Sequence, residues 1–189
     1  STQSRSSAAL DVYKRQKQAQ WVIPEKEKML WDKGKMGDDE PMQLVRTLLF
    51  MCGKYFGIRG GEELRNVRQN CFSFVMKENG EMDIIYTENL SKCVHGGLSK
   101  RNAPKVATHT DIDVEARYSF TSVFTKYTDK LPKDVNMTAA MWFRARKEVK
   151  EHEPWYYNAL MGKNTLQAFV KNMMAEVGIY SGYTTIPFV

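Results

Sequence analysis

The chain has 189 residues, 42% of them hydrophobic, enough for one core of ordinary size with a tail. A net charge of +6 suits a polyanionic partner without requiring one. No run of about 18 apolar residues occurs, which excludes a membrane-spanning helix, and neither the cysteines (Cys52, Cys71, Cys93) nor the histidines (His95, His109, His152) have metal-ligand spacing.

An odd number of cysteines without a CxxC pair, in a chain whose first residues lack the apolar core of a signal peptide, points to a reducing compartment. Residues 1–20 are polar and rich in Ser, Gln and Lys, the composition of a disordered tail. Within them Asp11-Val12-Tyr13-Lys14-Arg15-Gln16 resembles a translated sequencing adaptor, so roughly the first sixteen residues read as a cloning or assembly artefact.

From Pro24 the pattern is helical, with Met29, Leu30 and Trp31 before Gly34 ends the run. Asp38-Asp39-Glu40-Pro41 reads as a helix start, with acidic caps and then proline in the first turn. Leu44, Val45, Leu48, Leu49, Cys52 and Phe56 recur at the period of a buried helical face, and Gly57 stops the helix. Arg59 follows at once, then Gly60-Gly61 and the carboxylates Glu62 and Glu63. An arginine fixed at such a bend can hold a phosphate with its planar fork of donors. Glu62, three positions on, can orient that guanidinium if a helix restarts here. A plain helix cap followed by a surface ion pair fits the same residues.

After Val67 the period changes. Cys71 to Lys77 and Met82 to Thr87 read as strands, and Asn79-Gly80 between them is a hairpin signal. The segment Asn89 to Thr110 has no acidic residue, holds Lys92, Lys100, Arg101 and Lys105 around Gly96-Gly97, and leads into a third short strand near Lys105 to Ala107. This stretch is either a solvated loop or a phosphate-contacting hairpin. Asp113 is the expected cap of a helix carrying Phe120, Val123, Phe124, Tyr127 and Leu131. Lys133 to Pro154 is less regular, with a strand at Met141 to Phe143, and Trp155-Tyr156-Tyr157 suits packing better than base stacking. Gly162-Lys163-Asn164-Thr165 opens a last helix, with Asn164 as cap and Leu166, Phe169, Val170, Met173, Met174 and Val177 on its buried face. No phosphate loop of the Walker type and no GxGxxG motif is present.

The elements give an α+β fold, mainly helical with a small three-stranded antiparallel sheet. Their order resembles that of tyrosine recombinase (integrase-like) catalytic domains. Gly57-Ile58-Arg59-Gly60-Gly61-Glu62 resembles the first-arginine motif of that superfamily. The longer stretch Gly53 to Asn66 is similar to the version in Crypton-type recombinases and in the C-terminal domain of zinc-finger MYM-type proteins and their glutamine-rich relatives. Tyr86-Thr87-Glu88-Asn89-Leu90-Ser91-Lys92, Gly96-Gly97-Leu98 and Gly162-Lys163-Asn164-Thr165-Leu166 resemble the same family. The likeness covers residues 24–185, and 186–189 form a non-family end.

The resemblance implies roles. Arg59 would grip the scissile phosphate, Glu62 would hold Arg59, and Lys92 would protonate the leaving 5′ oxygen. Arg59, Lys92, Lys100, Arg101, Lys105 and Lys163 would contact the DNA backbone, with no cofactor and no metal. The family places a His-x-x-Arg helix just after the Thr184-Thr185 position, where this chain has Ile186-Pro187-Phe188-Val189. Neither Tyr180 nor Tyr183 fits the motif of the nucleophile. The expectation is a C-terminally incomplete catalytic core that neither cleaves nor joins strands and exposes apolar surface. Three readings follow: a recombinase-like DNA-binding fragment of a mobile element or its domesticated descendant, a non-enzymatic nuclear module with protein partners, or a truncated gene product. A nuclear location, oligomerisation on DNA and no membrane association accompany the first.

Overall fold

The computed structural model describes residues 22, 24–58, 60–89, 103–136, 138 and 140–179. Proline opens two helices, where its missing N–H costs nothing. These are α1, Pro24–Asp32, and α2, Pro41–Phe56. α2 buries the expected face, and Gly57 ends it in the left-handed conformation at φ 61°. There the Gly57 N–H bonds back to the Gly53 carbonyl and the Ile58 N–H to the Cys52 carbonyl. A side chain at Gly57 would be strained in this backbone. α3 restarts at Gly60–Asn66, and a short 3-10 turn, Gln69–Cys71, leads into the sheet.

Three antiparallel strands follow in the order β1-β2-β3: Phe72–Met76, Met82–Thr87 and Val106–Asp111. The hairpin at Asn79-Gly80 joins β1 to β2; β2 has the bounds read from the sequence, whereas β1 is one residue shorter at each end, Cys71 belonging to the 3-10 turn. β3 starts one residue later than expected and runs four further, because it pairs with β2 along the whole of that strand. Alternation turns Phe72, Phe74, Ile84 and Tyr86 toward α2 and α4 (Phe120–Asp129). Phe56, Phe72 and Phe120 meet there with ring centroids 5.0–5.5 Å apart. The other face of the sheet leaves Val75 and Val106 exposed.

Several expected caps are corrected. α4 is capped by Ser119, whose hydroxyl accepts from the Ser122 N–H at 3.0 Å, while Asp113 closes a turn onto the Glu115 N–H. Asp111, brought to the same helix end by β3, takes the two N–H groups that Asp113 is too far away to reach. Glu40 occupies the cap position of α2 without a side-chain bond, and Asp38 is drawn away by Arg117 and Lys126. The last helix, α5 (Lys163–Ala175), starts one residue before Asn164, with Gly162 at the cap position.

The irregular stretch before α5 also differs from expectation. β4 is Phe143–Ala145 rather than Met141 to Phe143, and it pairs with β5, Tyr156–Leu160, which the sequence did not signal. Met141 and Trp142 are instead plugs in the core. The buried Tyr127 hydroxyl donates to the Met141 carbonyl at 2.7 Å and accepts from the Phe143 N–H at 3.1 Å, which fixes this segment. The packing expected for Trp155-Tyr156-Tyr157 holds for Tyr156, which is fully buried. The fold is therefore α+β, with five helices, a three-stranded sheet and a two-stranded sheet among the described residues. None of these helices is long and apolar enough to cross a membrane.

Candidate functional site

The left-handed turn at Gly57 ends α2 beside Lys105, the residue just before β3. Lys105 Nζ donates to the Gly57 carbonyl at 2.5 Å. The same lysine closes the base of the basic stretch: its N–H donates to Glu88 Oε2 at 3.1 Å, and its carbonyl accepts from the Glu88 N–H at 2.9 Å. The chain therefore leaves the sheet and returns to it next to the helix break.

On the other side of the break, α3 lies against the start of α5. A Cβ at Gly61 would stand 2.5 Å from the Lys163 carbonyl oxygen and 2.9 Å from Gln167 Cβ, so only glycine permits this approach. The contact brings Lys163 Nζ within 2.6 Å of Glu62 Oε2. The hydrogen bond from Lys163 lowers the Glu62 pKa below its ordinary value, although the carboxylate is exposed. Glu62, read as the partner of Arg59, thus has Lys163 as a partner. Arg59 itself lies outside the described residues, as do Lys92, Lys100 and Arg101.

Of the residues singled out from the sequence, Glu62, Lys105 and Lys163 are described, and all three bear on the short segment 57–62. Lys105 holds its beginning and Lys163 its end. Two cations that the sequence reading passed over stand beside them. Arg65 and Arg68 line a groove of about 590 Å³ with Glu62, Lys163, Trp142 and Leu160. Arg65 lies on α3 and Arg68 follows the helix in extended backbone, so helical spacing gave no signal that the two would meet at one groove. Arg68 is held by its own chain, with Nη1 donating to the carbonyls of Arg65 at 2.9 Å and Val67 at 3.1 Å.

A second cleft, about 980 Å³, lies between the start of α2, the end of α4 and the 146–155 segment. It carries Lys130, Lys133, Arg146, Lys147 and Lys150, but also Asp39, Glu40, Asp129, Glu151 and Glu153, so its charges balance. Among the described residues no group of His, Cys, Asp and Glu side chains has the arrangement of a metal site. The thiol of Cys52 is fully buried, and that burial pushes its pKa up, away from thiolate chemistry.

No curated protein and no solved structure matches the chain. Residues 22–175 match the model of a family described as a domain of unknown function, DUF3504. The matched stretch reaches from just before α1 to the last residue of α5, and the chain belongs to this DUF3504 family.

Proposed function

We propose that the domain binds the phosphate backbone of DNA as a tyrosine-recombinase-like core of the Crypton type, acting in the nucleus. The observation that carries this reading is the pairing of Lys105 and Lys163 with the two ends of segment 57–62. Arg59 occupies the middle of that segment in sequence, and the basic stretch with Lys92, Lys100 and Arg101 lies in sequence between β2 and Lys105, the residue just before β3. Several cations around one helix break suit a phosphodiester, whose two free oxygens accept charge-assisted hydrogen bonds. In this reading Arg59 grips the phosphate and Lys92 delivers a proton to the leaving oxygen in a complete enzyme. Glu62 stays available to Arg59 through the carboxylate lone pairs that Lys163 leaves free.

Titration of duplex DNA by fluorescence anisotropy at several salt concentrations tests it. Affinity is expected to fall steeply with salt, and Arg59→Ala with Lys92→Ala to flatten the slope by about one unit per lost phosphate contact. Binding indifferent to salt between low and physiological concentration would sink the reading.

The alternative, a non-enzymatic nuclear module that docks proteins, is favoured by the apolar side chains on the open face and edge of the sheet. Val75, Met76 and Val106 are about half exposed there, and Ile112 just beyond β3 is 80% exposed.

A further inference from the structure

We infer that the groove between α3 and the turn from β5 into α5 docks a partner peptide carrying an apolar anchor flanked by carboxylates. At about 590 Å³ the groove has the size of a side-chain or small-ligand pocket. Its inner wall is apolar: Trp142, Met161 and Leu166 line it. The one donor of the Trp142 ring is already used, since Nε1–H bonds to the Leu64 carbonyl at 2.7 Å. Leu160 stands at the lip with 51% of its surface exposed, at the end of β5.

The opposite lip is cationic. Neither Arg65 nor Arg68 forms an ion pair among the described residues, and Arg68 is held in place by two backbone carbonyls. A guanidinium fixed in this way loses little further freedom on meeting a carboxylate. The single carboxylate lining the groove, Glu62, is matched by Lys163 at 2.6 Å, so a net positive charge remains. An apolar wall beside one fixed and one exposed arginine is the composition of an interface centre, where Arg and large apolar groups dominate binding. A phosphate backbone would meet the arginines but gain nothing from covering Leu160, so an acidic peptide fits the whole surface better than a nucleic acid strand does. The groove shares Glu62 and Lys163 with the segment read as phosphate-binding, but Arg65, Arg68 and Leu160, on which this inference rests, take no part in that reading.

A displayed random-peptide library, selected on the full chain and counter-selected on an Arg65→Glu/Leu160→Ser double variant, tests it. Both positions are on the exposed surface of the groove, so the variant is expected to melt as the parent does. Selected peptides should place Leu, Phe or Trp between Asp or Glu residues and shift the Trp142 indole N–H resonance. They should bind the variant at least about tenfold more weakly. Peptides without acidic flanks, equal binding to the variant, or no enrichment over it would overturn the inference. Competition by duplex DNA that fails on the same variant would reassign the groove to nucleic acid. Self-association of the chain that the variant abolishes would reassign it to a second copy.

Discussion

Asp111 ends β3 and completes the start of α4 with one side chain. Its carboxylate accepts from the Phe120 N–H at 3.0 Å, the Thr121 N–H at 2.7 Å and the Thr121 hydroxyl at 2.6 Å, and lies 3.1 Å from His109 Nε2. With Ser119 taking the Ser122 N–H, the first three donors of the helix all have partners. Burial works to raise the Asp111 pKa, but the bonds from His109, Thr121 and Phe120 outweigh it and hold the group below its ordinary 3.8. Asp38 follows the same logic: burial opposes ionisation, and the bonds from Arg117 and Lys126 prevail. A carboxyl depressed in the folded state contributes stability above its unfolded pKa and loses it as pH falls through the folded value. Acid destabilisation is therefore expected to set in below about pH 4. Asp111→Asn should lose about 1–3 kcal/mol at neutral pH in urea titrations and flatten the acid limb in part, because Asp38 remains. An unchanged acid limb in that variant would place the sensitivity elsewhere.

Among the elements, the contact between α3 and α5 governs the candidate site, because it sets where Lys163 meets Glu62. It is held close by the bare Cα of Gly61, and the far end of α3 is fixed by the indole of Trp142 on the Leu64 carbonyl. Gly61→Ala drives a methyl into the Lys163 backbone carbonyl, which has no rotamer by which to retreat. The two helices must part, at an expected cost of about 1–3 kcal/mol. The same variant should lengthen the Glu62–Lys163 distance and change the Glu62 titration measured by NMR. A fully stable Gly61→Ala with that titration unaltered would show that the approach of the helices is not what sets the ion pair. Trp142→Phe keeps most of the apolar wall but leaves the Leu64 carbonyl without its indole donor, and should cost about 1–3 kcal/mol.

At the scale of the whole molecule, α2 joins two cores. Leu44, Val45, Leu48 and Leu49 belong to the larger one, shared with the sheet and α4. Phe50 belongs to a smaller one with Leu30, Met36, Met173, Met174 and Val177, which ties α1 and the end of α5 together. Glu176 reinforces this corner through Lys35 at 3.1 Å and Arg46 at 2.6 Å. Because one helix supplies both cores, they are expected to melt together. Leu30→Ala should cost about 2–5 kcal/mol while keeping a single transition. Two separate transitions by far-UV circular dichroism and tryptophan fluorescence would show that the small core is an independent unit.

The amino-acid sequence alone settled those parts whose causes are local. Pro41, the apolar period and Gly57 define α2, and Asn79-Gly80 with the flanking alternation defines the β1–β2 hairpin. Tertiary structure decided what depends on residues that are distant in sequence. Asp38 reads as a cap until Arg117 and Lys126, 79 and 88 positions away, claim it. Asp113 has the chemistry of a cap, but β3 delivers Asp111 to the helix end instead. β5 becomes a strand through pairing with the three residues of β4, too short a partner to leave a pattern of its own. The groove of Arg65, Arg68 and Leu160, like the union of Lys105 and Lys163 around segment 57–62, exists because separate elements pack, and local spacing carries no record of which surfaces will meet.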